Sequence, residues 1–257
     1  MKNKFLKSTF LAIFLTCTYS FNVQASTVDY VAGKNRYETA AIISDKLKYS
    51  TAIIVNGLST ADGLSASGLS GTLDAPILLT TSNSLPSSTM KKLGNVEKVY
   101  LVGGNGVISP KIEAELKNLG KKVVRLAGKN RYSTSYAVAD EISKIKGISE
   151  IYYVNGLTGE ADAMSIAPVA AKNANPVILT DGKTTKYRKD IKSYAIGGTG
   201  VLKPYFDSFA ERISGQDRFE TNKKVIEKFF PNKKHINLSK SHELIDALTA
   251  SALKEPV

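Results

Sequence analysis

The sequence predicts an α/β fold built from tandem units with parallel sheets, two of them complete and a third cut short. Three observations predict it. Ordered blocks of sequence return along the chain, short apolar runs lack polar alternation, and helical stripes lie between those runs.

The blocks come first. Gly33-Lys34-Asn35-Arg36-Tyr37-Glu38-Thr39 returns as Gly128-Lys129-Asn130-Arg131-Tyr132-Ser133-Thr134. It returns again as Gly215-Gln216-Asp217-Arg218-Phe219-Glu220-Thr221. Ile53 to Gly57 matches Tyr152 to Gly156, and Asp62-Gly63-Leu64-Ser65 matches Asp162-Ala163-Met164-Ser165 and Asp246-Ala247-Leu248-Thr249. Pro76-Ile77-Leu78-Leu79-Thr80 matches Pro176-Val177-Ile178-Leu179-Thr180. Tyr100 to Gly106 matches Tyr194 to Gly200. Blocks that keep their order three times predict repeated supersecondary units, expected at 26–122, 123–210 and 211–257.

The elements follow in order within each unit. Ile53 to Val55, Ile77 to Leu79 and Val99 to Val102 are continuously apolar, as strands buried on both faces are. Ala40, Ile43 and Leu47 fall at i, i+3 and i+7 and form one helical stripe. Asn35 with Glu38 reads as a capping box at that helix's start, and Asp217 with Glu220 repeats it. Strands alternating with helices at this spacing argue for βαβ units. The third unit is expected to hold a strand near His235 to Leu238 and the Asp246 helix. Pro256 follows Asp246 by ten residues, whereas Pro76 and Pro176 follow their aspartates by fourteen. A helical turn and then the remaining strands are therefore expected to be missing, as in a truncated chain or a fragment. Association between chains is one way to complete such a unit.

Composition narrows the setting. Of 257 residues, 42% are hydrophobic and 23% charged, which excludes a disordered polar chain. Lys2, Lys4 and Lys7, the apolar run Phe10 to Tyr19 and Val23-Gln24-Ala25 read as a secretory signal peptide over residues 1–25. Its removal takes the single cysteine, Cys17, and with it disulfides and thiol chemistry. No other apolar run reaches the length of a membrane-spanning helix, so no insertion is expected after cleavage. The whole chain carries 35 basic and 23 acidic residues, net +12. The leader holds three of those lysines and no acid, leaving about +9. A basic exported protein attracts polyanions.

Together, the Gly-x-x-Arg-[Tyr/Phe]-x-Thr block, the Asp-Ala-[Leu/Met]-[Ser/Thr] block, the Pro-initiated apolar strand and the Gly-Gly turn resemble the cell wall-binding repeat type 2 family. That family occurs in clostridia and related Gram-positive bacteria. The resemblance covers essentially the whole chain after residue 25. It implies three Rossmann-like modules in a pseudo-threefold arrangement and non-covalent attachment to an anionic secondary wall polymer at the cell surface. It also implies an effector region beside the anchor. The shortened third repeat and the absence of an effector depart from this pattern.

The candidate contacts to the polymer are Arg36, Arg131 and Arg218, with Tyr37, Tyr132 and Phe219 directly after them. A guanidinium holds a carboxylate or phosphate bidentately, and each arginine lies near a helix start whose N–H groups favour anions. Asp62, Asp162 and Asp246 recur equally, and an Arg–Asp ion pair in every unit is the alternative account of both recurrences. Gly103-Gly104-Asn105-Gly106 and Gly197-Gly198-Thr199-Gly200 sit after strands, but Ser109 and Lys203 stand where a dinucleotide fingerprint needs its third glycine. His235 and His242 lack zinc spacing, and Gly63-Leu64-Ser65-Ala66-Ser67 lacks the second glycine of a nucleophile elbow. Lysines and tyrosines are scattered, not interleaved as in nucleic-acid binders. A non-enzymatic chain with no catalytic, cofactor-binding or metal-ligating residue is therefore expected. Two other readings stand beside it: an enzyme for a nucleotide or sugar-nucleotide on a Rossmann-like fold, and a non-functional remnant that folds poorly.

Overall fold

Most strands of this protein are largely apolar on both sides because each separates two cores. The computed structural model describes residues 30–257, so the expected signal peptide and Cys17 lie outside the described residues. The first unit runs α1 (Arg36–Ser44), β1 (Thr51–Asn56), α2 (Thr60–Gly63), α3 (Ala66–Leu73), β2 (Ile77–Thr80), α4 (Ser87–Lys92), β3 (Lys98–Val102), α5 (Pro110–Asn118) and β4 (Lys122–Leu126). The second runs α6 (Arg131–Lys146), β5 (Glu150–Asn155), α7 (Glu160–Asn173), β6 (Val177–Thr180), β7 (Lys192–Ile196) and β8 (Glu211–Ile213). The third contributes α8 (Arg218–Phe229) and α9 (Ile245–Ala250).

Two four-stranded, all-parallel sheets result, ordered β2-β1-β3-β4 and β6-β5-β7-β8. Their registers correspond: Ile53 pairs with Ile77 and Tyr100, and Tyr152 with Val177 and Tyr194. Ile53, Val55, Ile77 and Leu79 face a central core shared by all three units. The alternating Ala52, Ile54 and Leu78 face an outer core under α5. The expected unit boundaries do not coincide with the edges of the sheets. A boundary at 122/123 cuts through β4, every residue of which pairs with β3. One at 210/211 likewise separates β8 from β7. The second and third Gly-x-x-Arg blocks follow the last strand of the preceding sheet, so the sequence period and the sheet period are offset.

Local rules explain the blocks. Asn35 accepts from the Glu38 N–H, Asn130 from Ser133 and Asp217 from Phe219 and Glu220. The box is fully reciprocal only at Asn130, where the Ser133 hydroxyl accepts from the cap's own N–H. Glu38 and Glu220, having longer side chains, reach one residue further back, to the Lys34 and Gln216 N–H groups. The threonine of each block accepts from the N–H of its glycine, at 3.0, 3.1 and 2.9 Å. Leu47, read as part of the α1 stripe, lies beyond the end of that helix.

The third unit keeps the pattern in shortened form. His235 to Leu238 form no paired strand, yet the Asn237 N–H donates to the Pro256 carbonyl at 2.8 Å. That bond matches Ile53 to Pro76 and Tyr152 to Pro176 in the complete units. Helix α9 passes through a 3₁₀ turn to Lys254, whose left-handed φ of 61° repeats Asp74 (49°) and Ala174 (50°). Each of the three lies two residues before its proline. The units close on one another: α3 packs on α6 and α7, α7 on α8 and α9, and α9 returns to α1 and β2.

Candidate functional site: the clefts between units

The recurring arginines hold the corner after the first strand of their own unit. Nη1 of Arg36, Arg131 and Arg218 donates to the carbonyls of Gly57, Gly156 and Ser241 at 2.7, 2.6 and 2.8 Å. The helix starts beside them are occupied by the cap side chains, so the anion attraction expected of open N–H groups falls to the guanidinium. Tyr37 and Tyr132 are half-buried against the central core. Phe219 departs from them and is 62% exposed.

The recurring aspartates sit across a unit boundary from the arginines. Asp62 and Asp162 are 7% and 8% exposed, and Asp246 is half-buried with Oδ1 unpartnered. Among the described residues no Arg–Asp pair within 4 Å joins these groups, so the ion pair within each unit is not what forms. An arginine of the following unit reaches each carboxylate with its field: Arg131 for Asp62, Arg218 for Asp162 and, completing the ring, Arg36 for Asp246, which Lys240 of its own unit also reaches. Burial dominates and pushes all three carboxyls up, Asp162 to about 6, with the arginines opposing it.

The two Gly-Gly turns roof Asp62 and Asp162. Gly103 and Gly197 have φ of +135° and +118°, which a side chain would strain. A Cβ on Gly197 would also lie 2.6 Å from Asp162 Oδ2, and one on Gly103 3.3 Å from Asp62 Oδ2. Between the second and third units the parts enclose a cleft of ≈ 320 Å³, lined by Thr158, Asp162, Gly198, Gly200, Gln216 and Arg218 among others. Its lining brings together guanidinium donors, a carboxylate acceptor and backbone glycines.

The matching family model, cell wall binding domain 2, aligns with residues 31–113, 125–206 and 212–256. The chain belongs to this family. It is 32% identical over 243 residues to the N-acetylmuramoyl-L-alanine amidase LytC of Bacillus subtilis (strain 168), a match covering 89% of this chain and 48% of that protein. It is 28% identical to the amidase enhancer of the same organism, covering 89% of this chain and 33% of the relative. Among solved structures, Cwp8 from Clostridium difficile is similar with a TM-score of 0.82 at 30% identity, over 88% of this chain and 43% of that one. Cwp6 from Clostridium difficile gives 0.74 at 30% identity, over 91% and 43%. The chain thus spans less than half of each of these proteins.

This cell wall binding domain 2 chain also uses residues that the sequence reading passed over. Arg125 donates to the Gly103 and Ile108 carbonyls and pairs with Glu113. Arg212 does the same for Gly197 and Lys203, pairing with Asp207. Both stand three residues before a block glycine, Gly128 or Gly215, a fixed offset that marks them. Asn56 and Asn155 accept from two N–H groups of the loop after the first strand and donate to the Val107 and Val201 carbonyls. Family membership supports cell wall binding, and among the described residues no helix is long and apolar enough to cross a membrane.

Proposed function

We propose that this chain is an exported, non-enzymatic anchor that holds an anionic secondary wall polymer non-covalently in the clefts between its units. One observation carries the reading: Asp162 of the second unit and Arg218 of the third line a single cleft, and the other two junctions pair an arginine's field with an aspartate in the same order. Nη1 of each arginine donates to a carbonyl, and the remaining N–H groups are without a protein partner among the described residues and available to a carboxylate or phosphate. The aspartate accepts hydroxyl protons, as a sugar ring requires. A net charge of about +9 after removal of residues 1–25 draws a polyanion towards these sites.

The test is retention of the folded chain, without residues 1–25, on cell walls prepared with and without their anionic polymer. Binding is expected on intact walls in dilute buffer and to weaken with salt, because exposed charges are screened within about 10 Å at 0.1 M. The double variant Arg131→Ala/Arg218→Ala is expected to bind about tenfold more weakly, an effect of charge-assisted contacts. Equal retention on stripped walls would sink the proposal.

A further inference from the structure

We propose that the loop Asp181–Asp190 of the second unit, together with Tyr205 and Phe209, forms a second contact surface for an acidic glycan, outside the inter-unit clefts. The inference rests on the reading that the ligand is an acidic wall polymer and adds a site for it. The two complete units differ here. After β2 the first unit forms α4, and the Lys92 ammonium at its end pairs with Asp45 at 2.5 Å. Between β6 and β7 the second unit forms no helix. Its loop instead carries Lys183, Lys186, Arg188 and Lys189, all exposed, and among the described residues none of these four makes an ion pair within 4 Å.

Neighbouring acids are turned to other partners. The Asp181 carboxylate accepts from the Lys183 and Thr184 N–H groups, which holds it below the usual carboxylate range. Asp140 accepts from the Tyr187 hydroxyl at 3.2 Å, and Asp207 is paired with Arg212. Asp190 closes the loop, exposed.

Beneath Arg188 lies an aromatic floor. The outer core of the first unit is built on Ile54 and Ile112, and that of the second on Tyr153 and Phe206. The Arg188 guanidinium lies 4.2 Å from the Phe209 ring centroid, and Tyr205 meets Phe209 edge-on at 5.4 Å while staying 40% exposed. A guanidinium laid on a ring is held in one plane, and its edge N–H groups remain available for a bidentate acid. An exposed tyrosine beside it presents an apolar face to the C–H side of a sugar. A lone basic loop would fit any polyanion. Cations fixed beside an exposed ring select one whose charges ride on sugars.

The test compares the folded chain with Lys186→Ala/Arg188→Ala/Lys189→Ala and with Tyr205→Ala. Binding to the purified anionic wall polymer is measured at several salt concentrations, and vesicles of anionic phospholipid serve as a second arm. The triple variant is expected to bind the polymer about tenfold more weakly with a flatter salt dependence, as loss of ionic contacts predicts. Tyr205→Ala is expected to weaken binding with the salt dependence unchanged. Melting curves like those of the parent would establish that both variants fold. If both bind the polymer as the parent does, the second surface is overturned and the clefts stand. The same holds if only vesicle binding falls. If the parent itself ignores the polymer, both readings fall together.

Discussion

Asp162 is a carboxylate held where charge is costly, and that cost can be measured. Burial raises its carboxyl from the usual 3.8 to about 6, with Arg218 opposing only in part. A group raised in the folded state binds its proton more tightly there than in the unfolded chain. Its stabilising contribution is therefore complete below pH 4 and is lost as pH rises through 6. The loss reaches on the order of 3 kcal/mol. Glu113 and Asp181 are shifted the other way and gain with pH, so the difference between parent and Asp162→Asn is the informative quantity. The variant is expected to melt higher than the parent at pH 7, to lose that advantage by pH 4 and to bind wall polymer less well. A lower melting temperature at pH 7 would mean that the ionised carboxylate is there to hold the fold. Gly197→Ala is expected to destabilise by about 1–3 kcal/mol, since both its φ and the nearby Asp162 oxygen oppose a methyl group. The recurrence of the aspartates and arginines was visible in the sequence. Their relation was not, because which unit's arginine approaches which aspartate depends on how units pack, and block spacing is silent on that.

At the scale of elements, the Asn130 cap of α6 is a local device with a local energy. Asn130→Ala is expected to cost about 0.5–2 kcal/mol by equilibrium unfolding, because it leaves the Ser133 N–H without its acceptor. Helices α3 and α7 meet far more closely than side chains would permit. A Cβ on Gly71 would lie 1.7 Å from the Ala171 carbonyl oxygen, and one on Gly68 2.1 Å from that of Asn175. Gly71→Ala must therefore push two helices apart in the shared core. It is expected to destabilise by at least about 1–3 kcal/mol, the range for overpacking. A neutral result in thermal melts would mean that the approach relaxes easily. Strands such as β1 and β2 were legible because continuous apolar runs have few other uses. The sheet that β4 and β8 would join was not, since each lies directly before a block that opens the next unit. Helix α4 and the basic loop that replaces it in the second unit show the reverse case. Equivalent segments with unrelated sequence carried no block to follow, and so the aromatic and cationic surface there went unread.

For the whole molecule, the decisive contact is the one that returns the third unit to the first. Short as it is, α9 packs on α1 and β2, and the Leu248 side chain is fully buried with Cδ2 3.1 Å from where Gly63 would carry a Cβ. The Lys254–Asp74 pair lies at the same seam but is largely exposed, so Lys254→Ala is expected to cost under about 1 kcal/mol. Leu248 is different, because a buried leucine truncated to alanine loses its transfer energy and leaves a cavity, about 2–5 kcal/mol together. One core runs through all three units, from Ile53 and Tyr152 to Leu248. That loss should therefore lower a single transition covering residues 31–257, and not release a small separate phase from the third unit. Calorimetry of Leu248→Ala distinguishes the two. A second, lower transition beside an unshifted main one would mean that two sheets fold without the third unit. The clefts would then be assembled pairwise, with the approach of Arg36 to Asp246 adding nothing to the rest.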